Sequence, residues 1–271
     1  MKFPLLVSGF LILAGGLSGW WFWPRREGGV SGGHGDRLIP PAMAAVLPPE
    51  CRQVVLVLAH NRDRPSARVW LLERTGARAR MPWGYNDKWK IKAGPLEAVI
   101  GRNGAAWGEG QPRLVNPGGF PDKVEGDGRS PAGVFALPWA FGVKPAAEMT
   151  GLKLPWRECT ETLRGVYDVK SRYYNQVVDE AVIPRRDWSS AEIMRRADGL
   201  YDEGVAIAHN PANRPGAGSC IFLHIRQGPG VGTSGCTALS REDMRLILRW
   251  LDPAESPRLV LDVEKAGTQR Q

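Results

Sequence analysis

Residues 218–240 contain a histidine and a cysteine whose spacing could support covalent chemistry. His224 ends an apolar run, and Cys236 follows a glycine-rich loop. A free thiol has a pKa near 8.5, so only about a few per cent is ionised at neutral pH, and a neighbouring histidine can accept its proton. Backbone N–H groups in a glycine-rich turn can hold the oxyanion that forms when sulfur attacks a carbonyl. The pattern predicts cysteine acyl transfer; its structural alternative is a small core cysteine and a core histidine.

A short strand and a turn would have to position this pair. Residues 219–225 predict a buried strand, because Ile221, Phe222 and Leu223 are apolar and strand-prone, and glycines punctuate both ends. The histidine would then project from a rigid element, and the cysteine would lie in the turn that follows.

A zinc site is the competing chemistry for these residues. Cys220, His224, Cys236 and His209 are all of zinc-binding types. On a strand, however, Cys220 and His224 would lie about 13 Å apart. Two ligands of one zinc ion cannot be so distant, because each lies about 2.0–2.3 Å from the metal. We therefore expect no zinc at these residues.

The same stretch resembles the active-site segment of the L,D-transpeptidase catalytic domain, the YkuD-like family. The resemblance implies that His224 is the family's histidine and Cys236 its nucleophile. Thr233 takes the family's Ser/Thr position and Gly235 its glycine. Ser234 stands where most members have a second histidine.

Two further departures concern the same segment. Ala238 stands where many members have Asn or Arg, and the loop before Cys236 is shorter than in the commonest form. Together with Ser234, these departures resemble the signature of a subgroup with Ser-Gly-Cys in place of His-Gly-Cys.

A second stretch, residues 126–137 (GDGRSPAGVFAL), resembles the family's G-x-x-x-Ser/Thr-Pro-x-Gly-x-Phe/Tyr segment. Pro131 cannot donate to a strand ladder and Gly133 permits close approach, so we expect a turn that enters a strand at Val134 and Phe135. Arg129 is a candidate for binding a carboxylate of a peptide substrate, with a solvated turn residue as the alternative.

The resemblance implies a mainly β fold, an L,D-transpeptidase-like β-sandwich or barrel with a few short helices. It implies a cell-wall cysteine acyltransferase in which His224 takes the proton of Cys236. The thiolate then attacks a donor peptidoglycan stem peptide, D-alanine leaves, and the amine of a second stem resolves the thioester. Backbone N–H groups of Ser234, Gly235 and Cys236 would hold the oxyanion. The resemblance implies that no metal and no cofactor is needed.

Two other functions remain open at this stage. A carboxypeptidase or amidase would use water and the same residues. The alternative from another class is an envelope protein that binds the cell wall without catalysis. In that case the site would have lost its activity because Ser234 replaces the family's second histidine.

The N-terminus carries a long apolar segment. Residues 3–23 are uncharged, preceded by Lys2 and followed by Arg25 and Arg26, and a helix of this length would span about 30 Å, one hydrocarbon core. We expect a signal peptide or an inner-membrane anchor over residues 1–26, with a core helix as the alternative. The chain would then act in the periplasm or cell envelope, although the two arginines argue against export.

The remaining chain divides into a linker and one domain. Residues 27–50 are rich in Gly and Pro and predict a linker, and residues 51–265 predict the catalytic domain. The net charge of +8 and the pI of about 9.6 suit an anionic wall polymer or membrane surface. The arginines are scattered and no nucleic-acid-binding motif is present, so we expect no nucleic-acid partner.

Short apolar runs separated by turn residues predict a β-rich domain. The expected strands include residues 54–58, 67–74, 88–93, 205–207 and 259–263. Helices are expected after Ser240, which begins an S-x-x-D capping pattern, and over residues 189–197. The irregular stretch 145–198 could line a groove with its aromatic residues or be a packed surface insertion.

The four cysteines leave room for one disulfide if Cys236 stays free. We expect a Cys159–Cys220 bond, because it would join the insertion to the strand that carries His224. His209 is a candidate residue at the edge of the site, with a structural role as the favoured interpretation.

Overall fold

The computed structural model describes Gly35, residues 38–81 and residues 84–264, with side chains left undescribed for residues 77–87. The expected N-terminal segment, residues 1–26, lies outside the described residues. So do residues 27–34, 36 and 37 of the expected linker. Among the described residues, no helix is both long enough and apolar enough to cross a membrane.

The described part of the chain is mainly β, as predicted, with two α-helices. The helices are α1 Pro41–Val46 and α2 Arg241–Trp250. The strands, in chain order, are β1 Gln53–Ala59, β2 Ser66–Met81, β3 Gly84–Val99, β4 Ala105–Trp107, β5 Ser130–Ala136, β6 Ala140–Gly142, β7 Trp156–Glu158, β8 Leu163–Val166, β9 Gln176–Asp179, β10 Ala191–Ile193, β11 Glu203–Ala206, β12 Phe222–Ile225, β13 Thr237–Leu239 and β14 Arg258–Val263.

Eleven of these strands form one mixed sheet, the large sheet, in the order β4-β5-β14-β1-β2-β3-β13-β12-β11-β6-β7. The interior strand β1 is buried along its whole length, which explains its nearly continuous apolar sequence. β1 pairs parallel with β14 and antiparallel with β2. Parallel pairing also joins β12, which contains His224, to β13, which begins directly after Cys236.

Helix α2 begins where the capping pattern predicted. The Ser240 hydroxyl accepts a hydrogen bond from the Asp243 N–H at 3.1 Å. Met244, Ile247 and Leu248 are buried, so one apolar face of the helix packs against the large sheet at β11 and β12.

The last part of the expected linker belongs to the folded domain, which corrects the prediction for those residues. Helix α1 begins with Pro41, and proline suits the first helical position because its missing N–H would have no partner there. Ile39, Met43 and Leu47 recur at helical spacing and are all buried in the core. Prolines that suggested a tether therefore mark a helix start.

Three strands of the 145–198 insertion form a separate sheet, the small sheet, in the order β10-β8-β9. The predicted helix over residues 189–197 is wrong, because Ala191–Ile193 pairs antiparallel with β8. A helix of nine residues has little stability of its own, whereas the edge of β8 offers hydrogen bonds and a buried site for Met194.

Between the two sheets lies a second apolar cluster that contains the candidate nucleophile. Its buried members are Phe141, Cys159, Leu163, Met194, Tyr201, Ala206, Cys220, Phe222 and Cys236. The insertion thus covers this part of the large sheet.

The predicted Cys159–Cys220 disulfide is wrong, because all four cysteines are free. The Cys220 thiol donates instead to the carbonyl of Val166 on β8 at 3.6 Å. Burial raises the pKa of the Cys159 thiol to about 12, so both residues act as small buried groups.

Candidate functional site

A cleft of about 1140 Å³ lies where the small sheet meets the ends of β12 and β13. His224 and Cys236 both line it, as do Thr233, Ser234 and Gly235. All five site residues that were predicted from residues 218–240 therefore line the same cleft.

Strand pairing explains how the two candidate catalytic residues meet. His224 pairs with Ala238 across β12 and β13, and Cys236 precedes Ala238 by two residues, on the same face of the sheet. Parallel neighbours lie about 4.8 Å apart and two residues cover about 6.6 Å, which places the two Cα atoms about 8 Å apart. Ala238 itself is fully buried in the sheet.

The predicted strand over residues 219–225 is shorter in the structure and begins at Phe222. Cys220 has a φ of 51°, in the left-handed region that a non-glycine residue rarely occupies, so the chain bends there. The side chain of Asn175 accepts the Cys220 N–H at 2.9 Å and stabilises the bend. Local backbone strain of this kind often accompanies functional sites.

Two hydroxyl groups hold the loop that carries Cys236. Thr233 Oγ1 donates to the Cys236 carbonyl at 2.6 Å and accepts the Gly235 N–H at 3.1 Å. Ser130 Oγ, fully buried, lies 2.7 Å from the Gly235 carbonyl oxygen and 3.0 Å from that of Cys236, and accepts the Gly101 N–H. These hydrogen bonds between protein groups fix the conformation of the loop.

This hydrogen bonding corrects one part of the expected oxyanion site. The Gly235 N–H already has Thr233 Oγ1 as its acceptor, so it is not available to an oxyanion. Within the described chain, the amides of Ser234 and Cys236 have no acceptor. Gly235 has a different role: its φ is 155°, and a Cβ there would lie 3.1 Å from the Arg129 carbonyl oxygen.

The His224 ring is fixed by one hydrogen bond. Nδ1 lies 2.8 Å from the Ile225 carbonyl oxygen, and a carbonyl can only accept, so Nδ1 carries the proton. Nε2 then has the lone pair of a general base. Burial, followed by the positive charge of Arg196, lowers the pKa of His224 to about 4. The imidazole is thus neutral at pH 7.

The Cys236 thiol is also neutral at pH 7. Burial, followed by the charge of Glu192, raises its pKa to about 12, although the Phe222 N–H donates to Sγ at 3.3 Å and opposes the change. No hydrogen bond joins His224 Nε2 to Cys236 Sγ among the described contacts. The resting site is a neutral pair, so proton transfer has to accompany substrate attack.

Sequence reasoning missed the insertion's contribution to this cleft. Glu192, Arg196 and Tyr201 all line it, and the Tyr201 ring packs edge-on against His224 at 5.1 Å. Glu192 and Arg196 fall within residues 189–197, which were predicted as a helix without any role at the site. No local motif marked Tyr201.

The two alternatives for the aromatic residues of the insertion apply to different residues. Tyr167 lines the cleft, whereas Trp188 is buried and packs against Tyr173 at 5.5 Å, outside the residues that line the cleft. The insertion also contributes charged side chains to the cleft.

A second polar group at the cleft also had no sequence signal. The Glu125 carboxylate accepts hydrogen bonds from Tyr174 at 2.6 Å and Ser219 at 2.7 Å. Tyr174 Oη in turn accepts the Gly218 N–H at 3.1 Å. This group anchors the segment that leads into the Cys220 bend.

Arg129 and His209 do not line the cleft. The Arg129 guanidinium lies 2.8 Å from the Asp63 carboxylate and also donates to the Ala105 carbonyl. His209 is buried, packs edge-on against Phe135 at 5.7 Å, and has hydrogen bonds at both ring nitrogens. Both residues have structural roles in this arrangement.

Among the described residues, no group of three or more His, Cys, Asp or Glu side chains has an arrangement that could hold a metal ion. The chemistry described for the cleft depends on the thiol, the imidazole and backbone amides.

No protein-family model, curated protein or solved structure matches the chain.

Proposed function

We propose that this chain is a cell-envelope cysteine acyltransferase that acts on peptidoglycan stem peptides in the manner of an L,D-transpeptidase. One observation carries the proposal: the two stretches that resemble that family meet in space. Ser130, from residues 126–137, contacts the carbonyl oxygens of Gly235 and Cys236, from residues 218–240. Segments distant in the chain thus build one loop beside His224.

The reaction starts from the neutral pair. As the substrate carbonyl approaches, His224 Nε2 takes the thiol proton and Cys236 Sγ forms a bond to the carbonyl carbon. The amides of Ser234 and Cys236 stabilise the oxyanion. The C–N bond to the terminal D-alanine then breaks, and His224 returns the proton to the departing amine. A thioester on Cys236 remains.

The second half of the reaction decides the product. The amine of another stem peptide attacks the thioester to form a cross-link, or water attacks to release a shortened stem. Product analysis distinguishes a transpeptidase from a carboxypeptidase, because both use the same residues.

The proposal includes the finer fold and the location of the protein. The large and small sheets would correspond to an L,D-transpeptidase-like β-sandwich or barrel. Residues 1–26 would direct the chain to the periplasm or attach it to the inner membrane. The net charge of +8 suits an anionic wall.

Mass spectrometry of the full-length chain incubated with disaccharide-tetrapeptide tests the proposal. We expect a mass gain on the peptide that contains Cys236, together with released D-alanine. Cys236→Ala should abolish both, whereas Cys51→Ala, at a buried cysteine of the main core, should retain both.

Dimeric products would support the transpeptidase and tripeptide products the carboxypeptidase. Turnover by Cys236→Ala above a few per cent of wild type would refute the assignment of the nucleophile. Binding of the tetrapeptide with neither adduct nor product would favour a wall-binding protein without activity.

A further inference from the structure

Glu125 has an unused carboxylate oxygen at the cleft that contains Cys236. Its Oε2 accepts hydrogen bonds from Tyr174 Oη at 2.6 Å and from Ser219 Oγ at 2.7 Å. Its Oε1 has no hydrogen-bond partner among the described residues, and it is not one of their buried unpartnered atoms, so solvent or a ligand can reach it. Because a carboxylate can accept about four hydrogen bonds, this group can still bind a donor.

The two hydroxyl groups fix the position of this carboxylate. Tyr174 is 2% exposed, and burial, followed by the hydrogen bond to Glu125, raises the pKa of its phenol, so it keeps its proton and remains a donor. Ser219 directly precedes Cys220, whose carbonyl oxygen lies 3.7 Å from Cys236 Sγ. The carboxylate is therefore held by the segment that contacts the thiol.

Most other charged side chains that line the cleft are neutralised by ion pairs within the protein. These pairs are Lys123 with Asp127, Arg195 with Glu161, and Arg196 with both Glu192 and Asp198. Of the described Asp, Glu, Lys and Arg side chains that line the cleft, only Glu125 and Arg102 have no ion pair. The cleft thus offers one unpaired carboxylate and one unpaired guanidinium.

A ligand that satisfies both groups carries an ammonium group and a carboxylate. The Arg102 guanidinium donates to Ser234 Oγ at 3.3 Å, so this cation lies beside the loop that carries Cys236. The stem peptides of the proposed reaction carry both charges. A primary amine with a pKa near that of lysine, about 10.4, is an ammonium group at pH 7, so the acceptor amine reaches the cleft as a cation.

We propose that Glu125 is a specificity-determining residue that binds the ammonium group of the acceptor stem peptide at its free carboxylate oxygen. The inference rests on the proposed acyl transfer. The bound ammonium first releases one proton to solvent. The amine then attacks the thioester carbonyl carbon and passes a second proton to His224 Nε2. A C–N bond forms, the C–S bond breaks, and His224 returns that proton to the Cys236 sulfur.

Two ligands that differ only at the amine test this role without turnover. Full-length protein is titrated in a calorimeter with disaccharide-tripeptide, which lacks the terminal D-alanine and keeps the free amine, and with the same compound acetylated on that amine. Acetylation removes the positive charge. We expect wild type to bind the free amine about tenfold more tightly than the acetylated ligand, the effect of one charge-assisted hydrogen bond.

In Glu125→Gln the ratio of the two dissociation constants should fall to about one. The amide keeps an oxygen that can accept from Tyr174 and Ser219, but it has no negative charge. Glu161→Gln is the matched control, because it removes the same charge from the same cleft at a carboxylate that Arg195 already neutralises. Its ratio should stay at the wild-type value, and thermal unfolding checks that both variants are folded.

The products of the acyl transfer give a second measurement. With disaccharide-tetrapeptide, Glu125→Gln should form the Cys236 adduct and release D-alanine at the wild-type rate. The ratio of dimer to tripeptide should fall about tenfold, because water needs no ammonium site. Slower adduct formation with an unchanged product ratio would overturn the assignment of Glu125 to the acceptor.

The binding measurements separate this inference from the proposed reaction. A ratio of dissociation constants near one in wild type, or an equal ratio in wild type and a folded Glu125→Gln, would overturn the role of Glu125 even if the Cys236 adduct forms. Amine-dependent binding that is lost in Glu125→Gln, together with no adduct in wild type, would instead overturn the acyl transfer and leave Glu125 as the residue that binds the ammonium group.

Discussion

Two regions of the molecule each contain a buried histidine, and hydrogen bonds use the two rings differently. His209, outside the cleft, accepts the Glu109 N–H at Nδ1, at 3.3 Å, and donates from Nε2 to the Ala217 carbonyl at 2.9 Å. His224, in the cleft, donates from Nδ1 to the Ile225 carbonyl, and its Nε2 has no hydrogen-bond partner among the described residues. The two rings are opposite tautomers.

The comparison shows that burial and a perturbed pKa do not identify a functional histidine. Burial is the largest cause in both cases and lowers the pKa of each ring to about 4. The difference lies in the unused lone pair. Both ring nitrogens of His209 form hydrogen bonds within the fold, whereas Nε2 of His224 keeps a lone pair that can accept a proton.

The largest expected effect separates the two rings by activity. His224→Gln removes the proposed base, so we expect acyl transfer to fall at least about a hundredfold, the usual contribution of a general base. His209→Gln should leave the activity of the folded protein unchanged. Product release from disaccharide-tetrapeptide measures both. Comparable losses in the two variants would contradict the distinction.

The free energy of unfolding should depend more on His209 than on His224, the reverse of the order expected for activity. His209→Ala leaves the Glu109 N–H and the Ala217 carbonyl unsatisfied, so we expect the free energy of unfolding to fall by about 2–4 kcal/mol. Urea denaturation measures the change. An equal loss in His224→Ala would show that the cleft ring is also structural.

The pH dependence of the free energy of unfolding tests the lowered pKa that His209 and His224 have in common. Between about pH 4 and pH 6.5, an unfolded histidine binds a proton that these folded rings do not. Stability should therefore fall as the pH falls through this window, by about 3 kcal/mol for each ring at 1.4 kcal/mol per pH unit. Replacing either histidine with Gln should remove about half of this dependence. An unchanged slope in both variants would contradict the lowered pKa values.

A threonine pair sharpens the comparison at the Cys236 loop. Thr233→Val removes the hydroxyl that binds the Cys236 carbonyl and the Gly235 amide. The loop amides that would stabilise the oxyanion should then be misplaced, so we expect kcat to fall about tenfold. Thr237→Val, at a buried position on the other face of β13, is the control. Similar losses in both would attribute the effect to packing.

The smallest expected effect concerns two arginines. Arg102 lines the cleft and donates to Ser234 Oγ at 3.3 Å, whereas Arg129 is paired with Asp63 outside it. An exposed ion pair is worth up to about 1 kcal/mol, so Arg102→Ala should raise KM for a carboxylate-bearing peptide about fivefold. Arg129→Ala should leave KM unchanged. A higher KM in Arg129→Ala and an unchanged KM in Arg102→Ala would favour Arg129, the candidate from the sequence, as the residue that binds the substrate carboxylate.

Local patterns predicted several elements well. The capped helix after Ser240 and the strand ending at Val263 follow from the capping side chain and an apolar run, which act over a few residues. The helix over residues 189–197 and the linker up to residue 50 were predicted wrongly. In both cases, distant partners decided the outcome: the edge of β8 for one and the main core for the other.

The residue types of Cys236, His224 and the glycines between them were enough to identify the candidate nucleophile and base, because their chemistry belongs to the side chains themselves. The folded arrangement was needed to show which nitrogen of His224 is available and which amides an oxyanion could use. It also places Tyr201 and Glu192 in the cleft that contains the thiol. These features depend on contacts between residues far apart in the chain, and burial there changes pKa values in a way that local sequence cannot encode.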